Sequence, residues 1–451
     1  MGIKWYYVHM LKRMQSFLWY IFIFSLSFQT VWIFDEIYIQ GEKWQYATGK
    51  IYFFEIVLFV LFCLLFFQKM RFFRLGKTRS IIYKINKNKA IILLGIFFIW
   101  TGLSIFWALD KEIAFKAFIH CIFGIVLWSI LQWKSFSVKK TFYVFSIAIC
   151  IHIGLGIIQW AQQYSPEILS LGMSEYQTYF PGVSVLKNDF GRWLRVYGGF
   201  SHPNVFGGVL SIVLLISMFF YKEIIKRSER IYLISTSILF VWGIIFTFSR
   251  TAWLSFVVGW LIITGGSFFW KKWKEKQWLS WIFISGAVFI SGAVFMFITG
   301  NNIESRFSEE IIIQEQSFSD RMSYIQQAKE SIQENIFFGV GIGNFTVWTQ
   351  SVYWKEDSYI ALFQPVHIVP LLIFTEVGLI GFLFFLFIII SIFIKIVQQK
   401  NILALGLLGS FCILMFLDHW LWTSYFGLLF IFLVVFLGKK EKFQEKKMEI
   451  M

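Results

Sequence analysis

Of the 451 residues, 58% are hydrophobic and 21% aromatic, with 57 Phe against only 5 Pro, a balance that excludes an ordinary soluble domain. The formal charge of +15 is a topology signal and a poor sign of a nucleic-acid partner, because of where along the chain the basic residues fall.

A membrane-spanning helix needs about 20 mostly apolar residues to cross the hydrocarbon core. From the N-terminus, such runs predict spans near 16–34, 51–67, 90–107, 116–132, 141–160 and 204–221. More follow near 231–248, 252–269, 278–299, 367–394, 402–417 and 421–438. The last two are short and split by Asp418-His419-Trp420, so a broken pair is the alternative reading. The expected fold is all-α: a polytopic integral membrane protein of about 12 transmembrane helices, one transmembrane domain over residues 1–451. Two connections carry the polar sequence, an external loop at 161–203 and a large external loop at 300–366.

With the N-terminus in the cytoplasm, the inner connections hold 29 of the 41 Lys and Arg. Short cytoplasmic loops carry such an excess, so both termini are expected inside. The first apolar run is not followed by a small-residue cleavage site and reads as a signal-anchor helix. Cys63, Cys121, Cys150 and Cys412 lie within predicted spans, which leaves no disulfide framework and no metal spacing.

Residues 1–160 hold five spans and little chemistry. Trp107-Ala108-Leu109-Asp110 caps the third span, and His120 and His152 read as hydrogen-bonded packing residues inside helices. The loop at 161–203 ends with Arg192, Arg195 and then His202-Pro203-Asn204. Pro203 opens a helix, so Asn204 and the free N–H groups beside it, with guanidinium groups nearby, make a ready anion site. The competing reading has these arginines on lipid head groups. Arg250 sits in a tight turn with no carboxylate within ten residues; an arginine there needs an anionic partner or must snorkel.

In the large loop, Ser317-Phe318-Ser319-Asp320 has a capping-box pattern. It predicts an amphipathic helix with Met322, Ile325, Ala328 and Ile332 on one face. Arg321 would then occupy the first turn, where a cation opposes the helix dipole, so it is expected to point at something anionic. Gly339, Gly341 and Gly343 follow. Alternate glycines can cradle phosphate or let one backbone approach another, and both readings stand. Pro365-Val366-His367 then leads into an apolar run interrupted only by Glu376.

One membrane face thus collects Arg195, Arg250, Arg321, His367 and the Asp418-His419 pair. Guanidinium groups hold phosphate oxygens bidentately, and histidine takes a proton near neutral pH. That suits displacement of a diphosphate leaving group by an acceptor hydroxyl. No acidic cluster points to a metal, and no cofactor is expected.

At these residues the chain resembles the O-antigen ligase and polysaccharide polymerase family of bacterial membrane proteins. The resemblance runs from about 190 to 385. It rests first on Arg195-x-x-Gly198-x-Phe200-x-His202-Pro203-Asn204 and on Phe248-Ser249-Arg250-Thr251-Ala252. Arg321, Glu334-Asn335, Gly339-x-Gly341-x-Gly343-Asn344-Phe345, Pro365-x-His367 and Glu376-x-Gly378 complete it. Ile368 stands where the family commonly has Asn, and Ile336 where a proline often follows Asn335. The resemblance implies an undecaprenyl-diphosphate-linked glycan donor and inverting, metal-free transfer to a lipid, glycan or protein acceptor. The site would lie on the outer face of the bacterial cytoplasmic membrane, among membrane lipids. By motif, Arg250 and Arg321 would hold the diphosphate and His367 would be the base. Arg192, Arg195, Asn204, Asp418 and His419 are the further candidates for substrate contact. Ligase and polymerase stay open, and so does a carrier or flippase of lipid-linked glycan, although no internal repeat supports a carrier.

Overall fold

The structure is a computed structural model. It describes residues 2–39, 41–73, 89–180, 182–188, 191–224, 226–298, 311–355 and 363–439.

Helix α1 (Gly2–Ser25) covers only the first part of the apolar run expected at 16–34. From Val31 the chain is extended: β1 (Val31–Asp35) pairs antiparallel with β4 (Gly49–Tyr52), and β2 (Tyr38–Ile39) pairs with β3 (Glu42–Lys43). Val31, Trp32, Ile33 and Phe34 are β-branched or aromatic. Such side chains lose rotamer freedom in a helix and suit a pleated strand, so hydrophobicity alone misplaces this stretch. Helices α2 (Phe53–Phe73), α3 (Lys89–Leu103), α4 (Lys111–Trp133) and α5 (Val138–Gln162) follow.

The next loop is again built from strand pairs. β5 (Tyr164–Ser165) pairs with β6 (Tyr176–Gln177), and β7 (Val185–Asn188) with β8 (Gly191–Leu194). The all-α expectation therefore holds for the bundle but not for its loops. Then come α6 (Pro203–Glu223), α7 (Arg227–Phe246), α8 (Arg250–Phe269) and α9 (Glu275–Ile298). The large loop contributes α10 (Ile311–Glu334) and α11 (Phe345–Tyr353). The chain ends with α12 (Val369–Gln399), α13 (Ile402–Leu417), the one-turn α14 (Trp420–Thr423) and α15 (Tyr425–Leu437). Among the described residues, eight helices are long and apolar enough to cross a membrane, against the twelve runs of the sequence. Three shorter apolar helices lie on the runs near 90–107, 402–417 and 421–438.

Helix α10 corrects a second expectation. Its backbone is helical from Ile311, so Ser317 does not begin it and Arg321 lies ten residues in. No Gly or Pro interrupts 311–334, and the good helix formers Gln314-Glu315-Gln316 stand directly before Ser317, so the helix begins further back than the capping pattern implied. The dipole argument for Arg321 falls with it.

Helix α6 is the axis of the bundle, with 89% of its apolar window buried. It packs against α7, α8 and α9. Small residues bring the neighbours close. The Ser255 and Ser410 hydroxyls lie 2.5 Å apart, Ser211 joins Ser255 at 3.1 Å, and Gly259 faces Gly406 across the same α8–α13 contact. Small residues let membrane helices approach backbone to backbone, with hydroxyls bonding across. The consequence for function is positional: the starts of α6 and α8 and the end of α13, which carry Asn204, Arg250 and Asp418, are held in one rigid frame.

Candidate active site

The connections expected on the external side meet at one end of the bundle. Thr30 donates to the Ser170 carbonyl (2.7 Å), Tyr46 donates to Gln364 Oε1 (2.8 Å), and Trp107 Nε1 donates to the Phe338 carbonyl (2.9 Å). The polar residues singled out by the sequence lie among them.

Arg195 follows directly on β8, and its N–H donates to the Ser184 carbonyl (3.2 Å), which ties it to the β7–β8 hairpin. Its side chain is buried. Nε donates to the Thr247 carbonyl (2.8 Å), one terminal nitrogen to Ser184 Oγ (2.7 Å) and the other to Asn204 Oδ1 (2.9 Å). Asn204 passes the link on, its Nδ2 donating to Asp418 Oδ2 (3.2 Å), while Asp418 Oδ1 accepts the His419 N–H (2.7 Å). One guanidinium thus fastens the α7–α8 turn, the hairpin and the first turn of α6. His202 caps α6, its Nδ1 accepting the Asn204 N–H (3.1 Å), with Pro203 behind it as expected of a first helical position.

The histidines converge on the same point. The rings of His367 and His419 lie edge to face at 4.7 Å, and Tyr324 of α10 stacks on His367 at 6.0 Å. His419 Nδ1 is 2.7 Å from Thr423 Oγ1, which orients its ring. The Pro365 carbonyl lies beside His367, yet among the described residues no hydrogen bond of normal geometry reaches its buried Nδ1. Burial holds His367 below the ordinary imidazole range; the Asp418 charge opposes this and the Arg321 charge adds to it. At neutral pH the ring is therefore uncharged and able to accept a proton. Burial likewise depresses His419, to about 4, with His367 adding to the effect. Burial pushes the Asp418 carboxyl up, but the charges that His419, His367 and His202 carry when protonated, together with the His419 N–H bond, outweigh it and leave it below the usual carboxylate range.

The other two arginines differ from Arg195. Arg250 is the first residue of α8 and is exposed, three positions from the Thr247 carbonyl that Arg195 holds. Phe248 between them has φ +49°, in the left-handed region, which makes the turn sharp. Ser249 Oγ accepts the Ala252 N–H (3.4 Å) and caps the helix. Arg321 is exposed on α10, near enough to His367 for its charge to act there. Arg192 is apart from these. It is exposed on β8, where its backbone pairs with Lys187.

The glycines at 339–343 have a different use. Helix α12 is broken at Gly378 (φ +69°), which frees carbonyls in the turn before it. Val340 N–H donates to the Thr375 carbonyl (2.9 Å), Gly341 N–H to the Glu376 carbonyl (2.8 Å), and Leu379 N–H to the Ile336 carbonyl (2.8 Å). Gly339 has φ +70°, and a Cβ there would sit 2.5 Å from the Glu376 carbonyl oxygen. A Cβ on Gly378 would sit 2.2 Å from the Phe337 oxygen. Backbone meets backbone here, so the phosphate-cradle reading is dropped. Glu376 Oε2 accepts Trp422 Nε1 (2.7 Å), and Asn344 clasps Asp110, taking its N–H (2.7 Å) and donating to its carbonyl (3.1 Å).

Residues 235–386 match the family model described as O-Antigen ligase. Over these residues the chain is similar to the O-antigen ligase family. The comparison with curated proteins gave no match. The matched segment includes Arg250, Arg321, His367, Glu376 and the glycine turn, and stops short of Arg195, Asn204, Asp418 and His419.

Several contributors to the site had no sequence signal. Tyr46 lies 318 residues from Gln364, and Ser184 and Tyr324 are ordinary loop and helix residues until folded. His120 and His152 are packing residues. His120 Nδ1 lies 2.5 Å from Glu55 Oε1, and His152 Nδ1 accepts the Gly199 N–H (3.0 Å).

Proposed function

We propose that this protein is a membrane glycosyltransferase. It moves a glycan from an undecaprenyl-diphosphate-linked donor to an acceptor hydroxyl on the outer face of the bacterial cytoplasmic membrane. The bond from the anomeric carbon to the diphosphate oxygen breaks as the acceptor oxygen bonds to the opposite face of that carbon. His367 takes the acceptor's proton, and Arg250 and Arg321 hold the departing diphosphate. The observation that carries this reading is a neutral histidine set among fixed polar groups, with an exposed arginine close enough to bear on its charge. Positioned general bases of this kind contribute about 10²–10⁴ in rate. The matched family region supports the reading, since it holds all three of these residues. Asp418, Asn204 and His419 shape the wall next to the acceptor. A lipid or protein acceptor would make the protein a ligase, and a growing glycan would make it a polymerase.

The test is transfer by purified protein from a lipid-diphosphate glycan donor to candidate acceptors, with donor affinity and single-turnover rate measured on the same His367→Ala sample. Lost chemistry with donor binding kept within a few-fold supports the assignment. Lost binding with normal chemistry at saturation would make His367 a donor ligand.

A further inference from the structure

At the end of the bundle opposite the site, α1, α2 and the end of α4 line an open cavity of about 410 Å³. That lies within the range of small-molecule sites, about 300–1,000 Å³. Its lining is Lys12, Gln15, Ser16, Leu65, Gln68, Lys69, Trp133 and Lys134, three ammonium groups and no carboxylate. None of the three lysines is in an ion pair among the described residues.

The floor is built. Gln15 is 1% exposed, and a buried polar side chain must be bonded to be tolerated. Lys134 Nζ donates to its Oε1 (2.6 Å), and its Nε2 donates to Gln68 Oε1 (2.7 Å). This relay ties three helices together and fixes Lys134 at the cavity wall. Burial, and next the Lys12 charge, make the Lys134 ammonium harder to keep than usual. An anion in the cavity would relieve both lysines. Leu65 and Trp133 supply an apolar wall and an aromatic edge beside the charges, the combination that a lipid glycerol and head group meet.

We propose that this cavity is a second binding site, for a phosphate-bearing anion, separate from the glycan-transfer site and facing the other side of the membrane. Lys12, Lys69 and Lys134 would neutralise the phosphate oxygens, with Gln68 and Ser16 as neutral polar neighbours. The phosphate can be that of a lipid head group or of a free compound, and the two are separable by experiment.

The full-length protein is purified in neutral detergent and examined by native mass spectrometry with added phosphatidylglycerol, phosphatidylcholine or inorganic phosphate. Three proteins are compared: wild type, the K12Q/K69Q/K134Q triple variant, and K272Q/K274Q, which removes two exposed lysines at the same bundle end but outside the cavity. The expected result is retention of phosphatidylglycerol over phosphatidylcholine by wild type and the control, with tenfold or greater loss in the triple variant. Arg at the three positions should restore it. Displacement of the lipid by millimolar inorganic phosphate would assign the site to a free phosphate compound. Equal phosphatidylglycerol retention in the triple variant overturns the proposal, and so does equal loss in the control, since either reduces the cavity to general surface charge. Should the triple variant fail to fold, K12Q/K69Q leaves the Lys134–Gln15–Gln68 relay intact and must still lose most of the binding.

Discussion

Arg195 and Arg321 lie at the same end of the molecule and are used in opposite ways. Arg195 is buried, and protein oxygens occupy three of its nitrogens. Arg321 is exposed on a loop helix, with its charge reaching His367. A guanidinium whose donors are already bonded to the chain has little left for a phosphate. One that stands open can still form the paired bonds that planar donors make to phosphate oxygens. The comparison favours a scaffold role for Arg195 over substrate contact, and leaves Arg250 and Arg321 as the groups proposed to meet the donor.

The sharpest break of this division would come from the residue between the two regions. His367→Ala is expected to lower the transfer rate by about 10²–10⁴ without changing the melting temperature, as single-turnover assays and thermal unfolding in detergent would show. A normal rate would leave the exposed arginines without a base to serve.

Next in size is the arginine pair itself. Arg321→Lys and Arg250→Lys should each cost tenfold or more in turnover at unchanged stability, because lysine keeps the charge but not the fork. Arg195→Lys should instead lower stability, by about 1–3 kcal/mol for each buried acceptor left unsatisfied. Thermal unfolding and turnover on the same three variants separate the two classes. A stable, slow Arg195→Lys protein would return Arg195 to the chemistry.

The histidines offer a smaller, graded test. His202, His367 and His419 hold protons less tightly in the folded state, chiefly because they are buried. Unfolded imidazole ionises near 6.5. Below that pH the unfolded chain binds the extra protons, so stability is complete above it and falls as the pH drops toward the folded values. The melting temperature should therefore be lower at pH 5 than at pH 7.5, and His419→Gln should flatten the dependence. A flat wild-type profile would mean that these rings are solvated.

The smallest effect concerns the first loop. Tyr46→Phe removes the bond to Gln364 (2.8 Å), two residues before the segment that presents His367. A few-fold rise in KM at nearly constant kcat would place the loop as a wall of the site; no change at all would make it a cover without influence.

How much of this was legible in the sequence follows the range of the interactions. The bundle was readable because length and apolarity are local properties, and the strand pairs were not, because Val31–Phe34 looks like helix until its partner Gly49–Tyr52 is in place. His367, Arg250 and Arg321 could be found by residue type and by position at the edge of apolar runs. The scaffold role of Arg195 could not, since its partners lie at 184, 204 and 247. The glycines at 339–343 left two readings open until the break at Gly378 supplied the carbonyls they face. The capping pattern at Ser317 misled because a good local start was overrun by helix-forming residues upstream.

The break in α12 also bears on depth. Thirty-one residues of continuous helix would extend about 46 Å at about 1.5 Å per residue, half as long again as a hydrocarbon core of about 30 Å. The part after Gly378, from Leu379 to Gln399, comes to about 32 Å, which is one membrane thickness. Gly378 thus divides α12 into an upper piece, Val369–Val377, and a piece about one membrane thickness long. The upper piece is held by Trp100, bonded to the Val377 carbonyl, and by Trp422, bonded to Glu376, and tryptophan is the residue type enriched at membrane interfaces. His367 lies two residues before that upper piece, the end at which the proposed polyprenol-linked donor would have to present its sugar.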